Sequence, residues 1–71
     1  DFLNISFESL SETFYSMRLL DIVGATVIIQ SGKSTTGENK FGLNLSQLPK
    51  GIYMLELING DEMGLKKVVI N

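Results

Sequence analysis

The 71-residue chain has no cysteine, no histidine and no tryptophan, and a single proline. Without His or Cys, neither a Ser-His-Asp nor a Cys-His nucleophile system can be built, and the common zinc, haem and iron–sulfur ligand sets are missing. No cofactor is implied. No disulfide braces the fold either, which matters because the core of a chain of roughly 70 to 80 residues or fewer seldom supplies more than about 3–5 kcal/mol. The apolar runs, such as 25–29 and 68–70, fall far short of the roughly 20 residues a membrane-crossing helix needs. Six Lys/Arg against eight Asp/Glu give a net charge of −2. There is no basic stripe and no interleaving of basic and aromatic residues, which argues against nucleic acid or an anionic membrane as partner. The chain opens on Asp1 rather than Met and is expected to be one domain, residues 1–71, excised from a larger protein.

What the chain does have is alternation. Apolar and polar residues change places every second position in short segments separated by Gly, Asn, Asp or Pro, the pattern of an all-β domain. Leu3, Ile5 and Phe7 mark a first strand, and Ser9, Ser11 and Glu12 a turn. Tyr15, Met17 and Leu19 give the buried face of a second strand over 14–20. In Asp21-Ile22-Val23-Gly24 the Asp carboxylate suits the first position of a type I turn and Gly24 a positive φ, closing a hairpin with a bulge. Residues 25–30 return as a strand, and the small polar stretch Ser31 to Glu38 reads as a loose loop. A strand resumes near Asn39 with Phe41, Leu43 and Leu45 in phase, and Leu48 is placed to plug the bottom of the core. Leu48-Pro49-Lys50-Gly51 reads as the next turn. Tyr53, Leu55 and Leu57 form one face of a strand over 51–58, and Asn59-Gly60 predicts a type I′ hairpin lengthened by Asp61 and Glu62. The last strand, Leu65 to Asn71, is partly apolar on both faces. Six or seven strands at this spacing point to an antiparallel β-sandwich.

Several local patterns have simpler readings than the chemistry they suggest. Gly32-Lys33-Ser34 ends like a phosphate-binding loop, but Val27 stands where that motif needs glycine and no helix follows. Glu8 with Glu12 and Asp61 with Glu62 fall in turns without calcium-loop spacing, and no metal site is assigned. The tripeptides Asn4-Ile5-Ser6 and Asn44-Leu45-Ser46 match a glycosylation signal but lie within strands. Tyr53, Phe41, Phe7 and Tyr15 are in phase with core residues, leaving Phe2 and Phe14 as the aromatics available for an exposed sugar-binding platform. Lys66-Lys67 charges an end strand against aggregation and also offers an accessible handle.

Four blocks, taken in order, carry a resemblance. They are 3–5 (Leu-Asn-Ile), 19–24 (Leu-Leu-Asp-Ile-Val-Gly), 44–53 (Asn-Leu-Ser-Gln-Leu-Pro-Lys-Gly-Ile-Tyr) and 66–70 (Lys-Lys-Val-Val-Ile). Together they resemble the C-terminal sorting domain of type IX (Por) secretion cargo in Bacteroidetes, over nearly the whole chain. The Leu-Pro-x-Gly-Ile-Tyr block and the Lys-Lys-hydrophobic terminus are the most specific parts. The chain differs in lacking an opening Asn-Pro turn and in ending on Asn71 rather than Lys or Arg. The resemblance implies a seven-stranded immunoglobulin-like sandwich that catalyses nothing. It would address an attached upstream cargo, through the periplasm, to the outer-membrane translocon and on to the cell surface or medium. It also implies a sortase-like peptidase cutting upstream of Asp1 or near it.

On that reading Lys66, Lys67, Val68, Val69, Ile70 and Asn71 are the segment contacted by the translocon. Asp21, Gly24, Leu48, Pro49, Gly51 and Tyr53 are the scaffold that presents it. Removing residues 66–71 is then expected to stop export while leaving the fold intact. The alternative is a structural or carbohydrate-binding β-sandwich module of a surface protein or glycosidase. Unpaired strand edges further invite a homodimer.

Overall fold

The computed structural model describes residues 2–71; Asp1, near which the resemblance places cleavage, lies outside the described residues. These residues form six strands and no helix: β1 (Phe2–Ser9), β2 (Thr13–Leu20), β3 (Thr26–Ser34), β4 (Gly37–Asn44), β5 (Gly51–Asn59) and β6 (Glu62–Ile70). All pairings are antiparallel. β1 and β4 make a two-stranded sheet, and the other four make a sheet of order β3-β2-β5-β6. The chain crosses between sheets after β1, β3 and β4 and turns back within the larger sheet in the β2–β3 and β5–β6 hairpins. The result is the immunoglobulin-like type of β-sandwich, with β3 and β6 as the edges of the larger sheet.

The period-2 pattern decides what lies inside. Met17 and Leu19 of β2, Tyr53 and Leu55 of β5, and Val68 and Ile70 of β6 are buried against Ile5 of β1 and Leu43 and Leu45 at the end of β4. Leu19 is completely buried and Met17 nearly so. Leu48 packs against this cluster half-buried, as its position after β4 suggests. One level along, Tyr15 from the larger sheet meets Phe41 and Phe7 from the smaller. Phe7 and Phe41 stack with centroids 5.8 Å apart, and Tyr15 tilts onto Phe41 at 4.7 Å. These rings join the sheets where the aliphatic core ends.

Beyond them the interior turns polar, and here the structure departs from the loop expected over Ser31 to Glu38. β3 continues to Ser34, β4 begins at Gly37, and only Thr35 and Thr36 connect them. The segment is tight because its short polar side chains satisfy each other's backbone, which allows burial without loss of hydrogen bonds. The fully buried Ser34 hydroxyl donates to the Thr13 carbonyl at 3.1 Å. Asn39 Oδ1 accepts from the Thr35 N–H at 2.9 Å, while its Nδ2 donates to the carbonyls of Thr35 and Gly37. The phosphate-loop look-alike disappears into β3, where Gly32 lies under the Tyr15 ring.

Two turns sit differently from the expectation. Asn59 is the last residue of β5, buried, with Nδ2 donating to Ser9 Oγ at 2.9 Å, and it pairs with Glu62. The hairpin therefore turns on Gly60 and Asp61 alone. Gly60 has φ 60° and no non-glycine residue among those described has positive φ, so the turn has the type II′ signs with glycine first rather than type I′. Before β5, the hydrogen-bonded turn runs from Leu45 to Leu48, whose N–H donates to the Leu45 carbonyl at 3.0 Å. The Leu48-Pro49-Lys50-Gly51 stretch is closed instead by a side chain: the Tyr53 hydroxyl donates to the Pro49 carbonyl at 2.6 Å. A tyrosine reaching back to upstream backbone at the start of a strand is a recurrent corner of immunoglobulin-type sandwiches.

Candidate functional site

Among the described residues β6 has one hydrogen-bonded neighbour, β5, and its outer edge is open. The strand pairs through Ile70↔Gly51, Val68↔Tyr53, Lys66↔Leu55 and Glu62↔Asn59, which sorts its side chains onto two faces. Val68 and Ile70 enter the core. Lys66 shares their face but remains exposed, because the opposing sheet has only two strands and leaves a groove of about 500 Å³ between β1 and β6. Leu3, Ile5, Leu55, Lys66 and Val68 help to line it. Lys67 and Val69 project from the opposite, outer face of the sheet and are exposed, as is Asn71 beyond the strand. Of the six residues expected to form a contacted segment, four are thus accessible and two, Val68 and Ile70, are core residues. The expectation that residues 66–71 can be removed without harm to the fold is corrected accordingly: the deletion takes out two core side chains and half of a strand.

The residues expected to act as scaffold collect at the end of the sandwich where β6 stops. Register places them there, since Leu20 pairs with Met54 and Gly51 with Ile70. The 48–51 connection therefore lies beside the C-terminal residues, and the Asp21 turn lies at the same end of the sheet, beyond β5. The Asp21 carboxylate accepts from the N–H groups of Val23 (3.1 Å) and Ala25 (2.9 Å), and the Asp21 carbonyl accepts from Gly24 N–H at 3.0 Å. Gly24, at φ 90°, occupies backbone that a residue with a β-carbon takes at a cost. The predicted bulge lies in β3, where Val27 is the extra residue between Thr26 and Ile28, the partners of Leu20 and Leu19. Asp21→Ala removes the acceptor for both N–H groups at an exposed turn. It is expected to lower stability by about 1 kcal/mol, read as a shift in the urea midpoint.

The two exposed aromatics do not form a platform. Phe2 lies on the outer face of the two-stranded sheet, its ring 2.7 Å from where a β-carbon on Gly42 would stand, and Phe14 lies on the opposite side of the sandwich. Lys33 Nζ stands 6.0 Å from the Phe14 centroid. The acidic pairs Glu8/Glu12 and Asp61/Glu62 stay in exposed positions, and no cluster of metal-ligating side chains occurs among the described residues.

Sequence reasoning passed over one surface. The outer face of the four-stranded sheet carries Ile29, Ile52, Met54, Ile58, Leu65 and Val69, exposed by between 37% and 65%. Near its middle Arg18 Nε donates to Glu56 Oε1 at 2.8 Å. This hydrogen bond, with the attraction of opposite charge, holds the Glu56 carboxyl below the usual carboxylate range and raises Arg18. The signal was present in β5 and β6, which are apolar at odd and even positions alike, as strands covered on both faces are.

The geometry is that of a compact sandwich with β6 at one edge of its larger sheet. A family model described as the secretion system C-terminal sorting domain matches residues 1–71. No curated protein and no solved structure matches the chain. The match covers every block from the first strand to the Lys-Lys terminus, and the chain belongs to the family of C-terminal sorting domains, the secretion signals of the type IX system.

Proposed function

We propose that the type IX machinery reads this domain by strand addition to the free edge of β6, with Lys66, Lys67, Val68, Val69, Ile70 and Asn71 as the contacted segment. As a type IX sorting domain the chain interacts with that machinery, is attached to an upstream cargo, and directs export to the cell surface or the medium. A sorting signal is not catalytic. In the finer reading, the fused protein crosses the periplasm and docks on the outer-membrane translocon, and a sortase-like peptidase then removes the domain near its N-terminal end. Residues 1–71 act as one module in this scheme.

The observation that carries the proposal is the half-anchored edge strand. An unpaired strand edge is a template for another chain, and here Val68 and Ile70 fix that edge to the core. Backbone groups on the edge supply affinity, while Lys66, Lys67, Val69 and Asn71 supply the side chains to be distinguished. Asp21, Gly24, Leu48, Pro49, Gly51 and Tyr53 position the ribbon by holding the two connections at the end of the sheet where it stops. Fusing residues 1–71 to a periplasmic reporter in a type IX host is expected to move the reporter to the surface or medium. Retention in the periplasm would overturn the proposal.

A further inference from the structure

The outer face of the four-stranded sheet has no cover among the described residues. Strands about 4.8 Å apart and eight to nine residues long give it an area of roughly 500 Å² in projection. With the relief of its side chains added, that approaches the roughly 800 Å² of accessible surface each partner gives to a standard interface. A face of this size that exposes six large aliphatic side chains among a few polar ones lies toward the upper end of what monomeric proteins leave to water, where such patches often mark interaction sites.

The charges on the face narrow down the occupant. Arg18 and Glu56 are register partners on the two central strands, β2 and β5, and the same row continues to Ile29 on β3 and Leu65 on β6. A two-fold axis lying between two such sheets, parallel to the strands and midway between β2 and β5, sets Arg18 of one copy over Glu56 of the other. The same operation sets Ile29 over Leu65, and in the next row Leu20 over Met54. Arg18 and Glu56 then each meet their opposite and the large aliphatics named in these rows meet one another, while Lys67, at the β6 end of the second row, comes over Thr26 of β3. That is the self-complementarity an isologous contact requires. A partner bearing charge of one sign would match only one member of the pair. The intrachain bond already orients both side chains, which lowers the ordering cost of association.

We propose that this face is the interface between two copies of the chain, packed sheet on sheet with the aligned geometry of β-sandwich layers. The contact uses side chains of the face, so it is separate from the pairing through strand edges that the sequence suggests. Lys67 and Val69 project from this face, so such a dimer covers part of the ribbon, and sedimentation and export report on the two proposals separately.

Sedimentation equilibrium on the 71-residue chain tests this. The unsubstituted chain is expected to show the dimer mass within the micromolar-to-millimolar range, and Leu65→Lys, at an exposed edge position, to show the monomer mass with an unchanged circular dichroism spectrum. Arg18→Glu and Glu56→Arg are each expected to be monomeric alone and to form a one-to-one heterodimer when mixed, a result that a purely intrachain role for the pair does not produce. Three outcomes would overturn the proposal. A monomer at every concentration would assign the face to a different partner. A dimer that survives Leu65→Lys would place the contact at a strand edge. Failure of the two folded charge variants to associate would remove the two-fold register.

Discussion

A reporter fused to residues 1–71 with both Lys66→Glu and Lys67→Glu is expected to remain in the periplasm, its export falling about tenfold or more. The two ammonium groups project from opposite faces of β6 and both are exposed, so together they mark both sides of the ribbon for a docking partner. Reversing them converts attraction into repulsion at contact distance, and only about 1.4 kcal/mol of lost binding is needed for each factor of ten. Both side chains are exposed, so the stability should stay within about 0.5 kcal/mol of the parent, as it usually does for exposed substitutions. This separation of address from fold is what a tail deletion does not give, because residues 66–71 include Val68 and Ile70. Undiminished export of the double variant, measured with a transition unchanged by circular dichroism, would show that the ribbon is read without its lysines.

Leu19→Ala is expected to leave the chain largely unfolded. Leu19 is fully buried at the centre of the aliphatic cluster, and truncating such a leucine costs about 2–5 kcal/mol in transfer and cavity energy. Set against a total of about 3–5 kcal/mol for a domain this small and free of disulfides, the loss consumes most or all of the stability. Urea titration by circular dichroism should show no native baseline, while Leu10→Ala, at an exposed position outside the strands, should behave as the parent. A cooperative transition displaced by less than about 1 kcal/mol would show that the site collapses around the smaller side chain.

How much of this was legible depended on whether the deciding interaction was local. Tyr15, Met17 and Leu19, or Tyr53, Leu55 and Leu57, announce their buried faces because alternation is a property of one strand. The Asp21 turn was readable because its carboxylate bonds to N–H groups only two and four residues away. The polar end of the sandwich was not. Ser34 and Asn59 are individually loop-forming, and the partners of the Ser34 hydroxyl and the Asn59 Nδ2, Thr13 and Ser9, are brought to them only by the fold. Position along β6 was legible but exposure was not. Lys66 shares a face with two core residues and stays in solvent only because the opposing sheet stops at two strands. The apolar outer face is a product of strand order, which lines up Ile29, Arg18, Glu56 and Leu65 from four separate segments.

The alternation within β6 has a consequence for how the molecule fails. Val68 and Ile70 are rivets driven into the interior, and Lys66, Lys67, Val69 and Asn71 around them are what a receptor would touch. Melting the body therefore scrambles the tag in the same event, so delivery and heat tolerance should decline at one common temperature.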